Sequence, residues 1–569
     1  MSISAPHDRR SFMAYFSAVG LGSTLLPGVL WGKISGGEEI TEATIACAEE
    51  MAGLKFDETQ RKQMVAALKT QETSLETLHA IKLENGIAPA IIFNPLPLGA
   101  SVPAGPLGKQ APVRSKVTIP AVPSDLEALA FEPVTVLSEL VRTKKVSSLA
   151  LTQMYLARLK KYDPVLHCVI TLTEDRALEQ AKAADTEIAR GKYRGPLHGI
   201  PWGAKDLFAV KGYPTTWGSP PYKDQTFDED AEIVKRLDAA GAVLVAKLSL
   251  GELAQGDLWF GARTRNPWKP DAGSSGSSAG PGSATSAGLV GFAIGTETLG
   301  SISSPSTVNG VTGLRPTFGR VPRTGAMALS WTMDKIGPMC RSVEDCALVL
   351  DAIQGPDGRD LSVRAAPYKW DATLKPQSLK IGYIKSAFDA TERHLTKTFD
   401  DAALEVMKRL GVNLIPVEIP DFQYGAMRII LTAEGAAAFD DLTRSGKDKL
   451  MTAQDNGSWP NTFRVARFIP AVDYVNANRV RSMAIQKWAE LMSTVDVIVC
   501  PTNGSQLTAT NLTGHPAVIL PNGFRDTDNT PVSLTFLGRL YEEAKVLAVA
   551  HAYQQATTFH TKHPVVKLG

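Results

Sequence analysis

The chain has 569 residues, of which 44% are hydrophobic and 21% charged, the balance of an ordinary globular protein. Lysine and arginine total 60 against 58 acidic residues, so the formal charge of +2 gives no general attraction to nucleic acid. The five cysteines have no metal-ligand spacing, which argues against a disulfide scaffold and a structural zinc site. We therefore expect no nucleic-acid partner and no metal.

The first segment, residues 1–35, has the pattern of a signal or an anchor. An arginine pair, Arg9–Arg10, stands directly before Ser-Phe-Met, and Ser11–Gly32 contains no charged side chain. This arrangement resembles the twin-arginine signal, which exports proteins after they have folded. The alternative is a fortuitous arginine pair before a helix that packs on the domain. No clear Ala-x-Ala cleavage site follows Trp31, so retention as a membrane anchor stays open.

The cellular location follows from this interpretation. We expect a protein that is exported to the periplasm, or anchored in the membrane facing the periplasm. If the arginine pair is fortuitous, the protein is cytoplasmic.

Two further segments precede the main domain. Residues 38–90 have apolar residues at helical spacing, such as Met64, Leu68 and Leu75, and predict a helical extension of two or three helices. Residues 91–130 contain seven prolines and three glycines between Asn94 and Pro123, a density that excludes regular helix and central strand. This second segment is predicted to be a linker laid over the surface.

From residue 131 to residue 565 the pattern alternates between helix and strand. The predicted elements are a helix pair over Thr135–Tyr162, a strand over Val165–Thr171, a helix over Thr173–Arg190, a helix over Glu229–Ala240 and a buried strand over Gly241–Lys247. Such alternation predicts an α/β fold, in which helices cover both faces of a parallel or mixed central sheet.

Glycine and serine are concentrated in one segment, Gly273–Gly313, which holds ten of each. A flexible linker is a poor interpretation, because Gly288–Gly295 is an apolar run. An α/β-hydrolase elbow is a second interpretation, since Gly276–Gly280 matches G-x-S-x-G with Ser278 as the nucleophile. The elbow needs a strand directly before it, and two prolines in Asn266–Ala272 exclude a central strand there.

The third interpretation uses the spacing of several blocks, which together resemble the amidase signature family. The blocks occur in family order and are Gly195–Asp206, Asn266–Trp268, Gly276–Ser278, Gly295–Ile302, Gly313–Val321, Met333–Asp345, Asp496–Thr502, Asn511–Pro516 and Pro521–Phe524. The resemblance covers residues 131–565 and implies the amidase signature fold, preceded here by the N-terminal helical extension. Several blocks in one order are more specific than any single short motif.

The resemblance implies a Ser-Ser-Lys triad. Ser301 is the implied nucleophile, Ser277 the bridging hydroxyl and Lys205 the base, with a cis peptide bond entering Ser277. Amide hydrolysis needs an activated nucleophile, a proton for the leaving nitrogen and donors for the oxyanion. A lysine with the ordinary pKa of about 10.4 is protonated near neutral pH, so we expect burial to lower the pKa of Lys205.

The resemblance also implies an oxyanion hole formed by successive backbone N–H groups, those of Thr298, Leu299 and Gly300 together with that of the nucleophile. Three residues depart from the family pattern here. Leu299 replaces the usual glycine, Glu297 replaces aspartate, and Ser303 replaces a common arginine. These departures leave the triad residues in place but bear on the acyl pocket and on the groups that support the loop.

The sequence thus predicts an amidase that hydrolyses the C–N bond of a small carboxamide through an acyl-serine intermediate, without a cofactor. One alternative is the glutaminase (A) subunit of a glutamyl/aspartyl-tRNA amidotransferase, which shares this signature but works on a cytoplasmic tRNA partner. Another is a catalytically impaired binding homologue, motivated by Leu299. We expect the substrate pockets around residues 325–335 and 420–490, while the identity of the amide and a homodimer both stay open.

Overall fold

The computed structural model describes residues 40–52, 54–81, 83–390 and 396–568. The predicted signal over residues 1–35 lies outside these described residues. Among the described residues, no helix combines the length and the apolar character needed to cross a bilayer.

Two helices form the N-terminal extension, α1 (Glu42–Ala52) and α2 (Glu58–His79). Asp57 begins α2 with a capping box, in which its side chain accepts a backbone N–H of the first turn. An ion pair between Arg61 and Glu49, 2.8 Å from nitrogen to oxygen, links the two helices. The extension therefore forms a helix pair of its own.

Residues 83–125 continue as an irregular, largely exposed segment. Prolines and glycines within it prevent regular hydrogen bonding, as expected from their density. An isolated bridge pairs Val113 with Asp371, so the segment is fastened to the domain that follows.

The main domain alternates helices and strands. Its helices are α3 (Val134–Arg142), α4 (Ser148–Leu166), α5 (Glu174–Ala189), α6 (Glu232–Ala239), α7 (Ala279–Ser286), α8 (Ser303–Asn309), α9 (Val343–Ile353), α10 (Lys385–Asp389), α11 (Lys397–Arg409), α12 (Ile429–Ala438), α13 (Asp440–Arg444), α14 (Trp459–Ala466), α15 (Ala471–Thr494), α16 (Ser505–Thr513) and α17 (Glu543–Thr557). Its strands are β1 (Val169–Leu172), β2 (Pro201–Lys205), β3 (Val243–Leu248), β4 (Arg265–Asn266), β5 (Lys269–Gly273), β6 (Phe292–Glu297), β7 (Thr312–Arg315), β8 (Lys335–Cys340), β9 (Ile381–Ile384), β10 (Leu414–Val417), β11 (Val497–Pro501), β12 (Ala517–Phe524) and β13 (Pro531–Gly538).

Eleven of these strands form one mixed sheet in the order β1-β3-β2-β6-β8-β7-β12-β13-β11-β9-β10. The trio β3-β2-β6 is parallel, as is the trio β11-β9-β10, and the pairs between them are antiparallel. Strands β4 and β5 pair separately as a small hairpin outside the central sheet. The α/β fold with a mixed central sheet, predicted from the sequence, is confirmed.

The sheet is buried on both faces. In β12, Val518 and Leu520 join one apolar cluster while Ile519 between them joins another, as the two-residue period of a strand requires. Across β2 and β6, Trp202 and Phe292 stack with their ring centroids 6.1 Å apart. The core therefore runs along both sides of the sheet and fixes the neighbouring strands β2 and β6, which lead into the candidate site.

The predicted and observed boundaries differ by one to four residues, and one of the largest differences is at the first strand of the sheet. The strand predicted over Val165–Thr171 begins only at Val169, because α4 continues to Leu166 and ends at His167 in the left-handed region, with φ of 49°. Leu166 is completely buried in an apolar cluster. Its burial stabilises a last helical turn that β-branched Val165 alone would not favour.

Candidate active site

Lys205 is the last residue of β2 and is completely buried. Its Nζ lies 2.8 Å from Ser277 Oγ, 2.9 Å from Thr296 Oγ1 and 3.2 Å from Ser278 Oγ. The amine is therefore surrounded by three hydroxyl groups, and no carboxylate is among its hydrogen-bond partners in the described part of the chain.

Burial lowers the pKa of Lys205 to about 7, and the carboxylates of Asp334 and Glu297 oppose that shift in part. Removing an ammonium group from water disfavours its charged form, and hydroxyl partners do not compensate as an ion pair would. The direction is the one predicted from the sequence. A substantial neutral fraction of the amine is thus available near neutral pH to accept a proton.

Ser277 lies between β5 and α7 and is 1% exposed. The peptide bond from Gly276 to Ser277 is cis, as the resemblance implies. Glycine is required before it, since a Cβ at Gly276 would lie 1.7 Å from the carbonyl oxygen of Gly256. The Ser277 carbonyl accepts a hydrogen bond from the N–H of Gly251 at 3.2 Å, which fixes its backbone.

The Ser278 hydroxyl has a different role from the one an elbow would give it. It donates to the carbonyl of Thr296 at 3.0 Å and accepts the N–H of Thr296 at 3.1 Å, and the residue is completely buried. These bonds tie the start of α7 to β6. Because the hydroxyl is enclosed and already bonded, the geometry disfavours Ser278 as a nucleophile.

Ser301 follows β6 and lies two residues before the start of α8 at Ser303. It is 8% exposed, and its carbonyl accepts the N–H of Ser278 at 3.1 Å. In the described residues, neither Ser277 nor any other group forms a hydrogen bond with the Ser301 hydroxyl. The structure thus brings Lys205 and Ser277 into contact and places Ser301 beside them through its backbone, without the direct hydroxyl contact expected of a proton relay.

The loop over residues 298–301, which the resemblance implies to form the oxyanion hole and which we call the oxyanion loop, shows why leucine is accepted at position 299. The left-handed conformation falls on Gly300, with φ of 93°, whereas Leu299 has no positive φ. Glycine is therefore needed at position 300 for its backbone conformation, while position 299 can carry a side chain. The Leu299 side chain packs against the apolar cluster that contains Met333 and Met427.

The other two departures from the family pattern, Glu297 and Ser303, are in contact with each other. Glu297 Oε2 accepts the N–H groups of Ile302 and Ser303 at 2.9 and 2.8 Å and the Ser303 hydroxyl at 2.8 Å. Its Oε1 accepts from Arg315 and Asn511, each at 2.8 Å. Burial raises the pKa of Glu297, but the Arg315 guanidinium, the charge of Lys335 and the Asn511 hydrogen bond outweigh it and hold this pKa at about 2. The buried carboxylate therefore caps the start of α8, just after Ser301.

Sequence reasoning assigned no role to Asp334, although it lies within one of the quoted blocks. Its Oδ1 accepts the Thr298 hydroxyl at 2.6 Å, and its Oδ2 accepts the N–H groups of Leu329 and Ser330 at 2.8 and 2.9 Å. Thr296, which contacts the lysine amine, was missed as well. Both residues belong to recognised blocks, but the blocks alone do not indicate which residues touch.

Comparison with known proteins agrees with this fold. The Amidase family model matches residues 150–510. The glutamyl-tRNA(Gln) amidotransferase A protein from Coxiella burnetii is 31% identical over 475 residues, which are 75% of this chain and 98% of that protein. Its counterpart from Acinetobacter baumannii is 33% identical over 492 residues, or 78% of this chain and 99% of that protein.

A solved structure is also similar to this chain in sequence and in fold. The native peptide amidase from Stenotrophomonas maltophilia is 32% identical and superposes with a TM-score of 0.67, covering 76% of this chain and 98% of that one. The chain belongs to the amidase family, a family of hydrolases that act on C–N amide bonds.

Proposed function

We propose that this protein hydrolyses the C–N bond of a small linear carboxamide through an acyl-Ser301 intermediate. The observation that carries the proposal is the buried Lys205 amine, with its pKa near 7, 2.8 Å from the Ser277 hydroxyl. A lysine in this state can accept a proton through a neighbouring hydroxyl and return it, as both halves of an acyl transfer require.

The chemical steps follow from this arrangement. Ser301 Oγ attacks the carbonyl carbon, its proton moves to Ser277 Oγ, and the Ser277 proton moves to Lys205 Nζ. The C–N bond then breaks as the same two groups return a proton to the departing nitrogen. Water attacks the resulting ester in the same way, releasing the carboxylic acid and the free Ser301 hydroxyl. Substrate binding must bring the Ser301 and Ser277 hydroxyls into hydrogen-bond contact for the first transfer.

The backbone N–H groups of Thr298, Leu299, Gly300 and Ser301 are proposed to stabilise the oxyanion. Asp334 supports this role because it holds the Thr298 side chain at 2.6 Å. The apolar packing of Leu299 favours an apolar group on the acyl side of the substrate. The segments expected to form the pockets contribute to the same cluster, through Met333 and Met427.

The glutaminase component of a tRNA-dependent amidotransferase is the second candidate. Identities of 31% and 33% to such proteins, over nearly their full lengths, support it. The two candidates differ in their need for a partner, because a glutaminase component works within an assembly. Glutamine hydrolysis that appears only after a partner protein is added would favour the second candidate over the first.

The proposal is tested by substitution of the implied nucleophile and base. Ser301→Ala and Lys205→Ala should each lower turnover of simple aliphatic and aromatic amides by about 10⁴-fold or more while circular dichroism shows a folded protein. Ser286→Ala is the matched control, since this buried serine of α7 has no hydrogen-bond partner in the described structure. Turnover that survives in either of the first two variants would contradict the proposal.

A fluorophosphonate probe separates an enzyme from a binding homologue. Labelling of the parent protein, together with its loss in Ser301→Ala, indicates an activated serine. A folded parent protein that takes up no label would favour the binding homologue, in which Leu299 impairs the oxyanion loop.

We also propose that the arginine pair Arg9–Arg10 directs export across the membrane to the periplasm. The charge-free segment that follows the pair supports this proposal. Cell fractionation of the parent and of an Arg9→Lys/Arg10→Lys variant tests it. The parent should be found in the periplasmic or membrane fraction and the variant in the cytoplasm, whereas a cytoplasmic parent would contradict export.

A further inference from the structure

A segment that precedes the family match contacts the loop next to the oxyanion hole. We call residues 83–96 the strap. Asn85 of the strap donates from Nδ2 to the Ala328 carbonyl at 2.8 Å, and its Oδ1 accepts the Ala328 N–H at 2.7 Å. The same Nδ2 lies 3.3 Å from the carbonyl of Ala438, at the end of α12. One side chain therefore satisfies both backbone groups of Ala328 and joins it to α12.

A second strap residue holds the same loop by another route. The Phe93 ring lies over the guanidinium of Arg481, 3.5 Å from its Cζ to the ring centroid, and meets Phe318 edge-on. Arg481 is 1% exposed and donates to the Thr332 hydroxyl and carbonyl, each at 2.8 Å. Because a desolvated cation over an aromatic face is held firmly, Phe93 restrains Arg481 and, through it, Thr332.

The loop held in this way, residues 326–334, contacts the oxyanion loop through its last residue, Asp334. Asp334 accepts the N–H groups of Leu329 and Ser330 on one oxygen and the Thr298 hydroxyl on the other. A continuous path of hydrogen bonds and adjoining residues thus runs from Asn85 through Ala328 and Asp334 to Thr298. The strap lies before residue 150, where the family match begins, so this path includes residues outside the matched region.

We propose that the strap supports the active site through Asn85 and Phe93, and that Asn85 is a positioning residue for the oxyanion loop. By fixing Ala328, Asn85 keeps the Leu329 and Ser330 N–H groups on Asp334, and Asp334 then holds Thr298. The proposal rests on the proposed function insofar as these N–H groups stabilise an oxyanion. Misplacing such donors by about 1 Å can cost about 10²-fold in rate, so a loosened loop should lower turnover measurably.

The test compares Asn85→Ala with Asn94→Ala in the full chain. Asn94 is an exposed strap residue whose side chain, among the described residues, accepts only the nearby Leu96 N–H, at 3.2 Å, so it is a matched control. Asn85→Ala should lower kcat per fluorophosphonate-titrated site about tenfold with KM nearly unchanged, and should slow labelling of Ser301 similarly. Asn94→Ala should leave these values unchanged.

A second variant and a second measurement keep the test independent of folding and of turnover. Asn85→Asp keeps the size of the side chain but loses both Nδ2 donor bonds, and should behave like Asn85→Ala. Amide hydrogen exchange at residues 298–301 and 329–330 needs no substrate, and we expect it to be faster in both Asn85 variants. Unchanged exchange in the oxyanion loop, or an unchanged kcat per titrated site, would overturn the positioning role. Failure of the proposed function would instead appear in the parent protein, as absent labelling and turnover.

Discussion

At the scale of single residues, the central feature is a buried lysine, Lys205, that forms no ion pair with any of the described residues. Lys205 contacts three hydroxyl groups, and burial brings its pKa to about 7. The nearby buried Lys247 shows what an ion pair changes, since its Nζ lies 2.7 Å from the carboxylate of Asp206. Two neighbouring strands thus each bury a lysine. Lys247 is paired with a carboxylate, whereas the three hydrogen-bond partners of Lys205 in the described structure are all hydroxyl groups, which suits Lys205 to proton transfer.

The pKa of Lys205 predicts the pH dependence of turnover. A base must be neutral to accept a proton, so kcat/KM should rise as the pH increases through about 7 and level off above that value. The measurement is a pH profile of amide hydrolysis, with the thermal unfolding of the protein followed over the same range. A profile that is flat through pH 7 while the protein stays folded would argue against Lys205 as the base.

The triad candidates could be named from the sequence because acyl transfer needs fixed residue types, and the blocks supply them at recognisable spacing. The groups that support them could not be named, since they meet across long separations. Thr298 bonds Asp334 across 36 positions, and Asn85 bonds Ala328 across 243. A sequence pattern alone does not indicate such contacts, because they form only when the fold brings distant segments together.

At the scale of elements, one carboxylate at the end of β6 holds the start of α8, which follows the oxyanion loop. Glu297 receives five hydrogen bonds, and two of them come from the backbone N–H groups at the start of α8. The Ser303 hydroxyl occupies the position where the resemblance expects arginine and donates to this carboxylate. Glu297 is longer than the aspartate of the family pattern, and Ser303 is shorter than the arginine. Together the two residues maintain a capped helix just after the candidate nucleophile.

Replacing this carboxylate should affect catalysis without a direct contact to substrate. Glu297→Gln leaves Arg315 without its anion and presents an NH₂ group to existing donors, so we expect kcat to fall about 10²-fold and KM to change little. Glu297→Asp keeps the charge and should retain more of the activity. Steady-state kinetics normalised to titrated active sites gives the comparison.

A second buried capping carboxylate provides the control for Glu297. Asp345 belongs to the capping box of α9, formed with Ser342, and is completely buried. Asp345→Asn should lower the melting temperature but leave kcat per titrated site intact, because its bonds join α3 and α9 and do not include the oxyanion loop. Equal losses of kcat in Glu297→Gln and Asp345→Asn would show a general loss of packing instead.

The elements themselves were largely predictable from periodicity. The helix pair after residue 131, the helix ending near residue 190 and the buried strand ending near residue 247 all occur in the structure. The exception near Val165 arises because burial of Leu166 outweighs local propensity. The order of the strands in the sheet could not be predicted from the sequence, since each pairing depends on side chains of other strands.

At the scale of the whole molecule, a buried ion pair joins distant parts of the chain. The guanidinium of Arg320 contacts the Glu543 carboxylate at 2.6 Å, and both side chains are fully buried. Arg320 also donates to the carbonyls of Ala366 and Tyr541 at 2.9 and 2.7 Å. The pair therefore connects the segment after β7 to the first turn of α17.

Removing the acid from this pair should destabilise the fold strongly. Glu543→Gln leaves a buried guanidinium without its counter-charge, so we expect the free energy of unfolding to fall by about 3 kcal/mol or more. Glu490→Gln is the comparison, because the ion pair of Glu490 with Lys487 is exposed and is expected to contribute less than about 1 kcal/mol. Chemical denaturation of the two variants measures the difference, and similar values would contradict the structural role given to Glu543.

The strand order has a consequence for how the molecule is made. Strands β12 and β13 come after the other strands of the sheet in the described sequence order, yet they lie inside the sheet, between β7 and β11. A nascent chain emerging from the ribosome can pair its early strands, but the two halves of the sheet remain unjoined until the residues of β13, Pro531–Gly538, have emerged. Completion of the sheet therefore waits for the synthesis of β13, and chains that end before this strand would expose open strand edges, which favour aggregation.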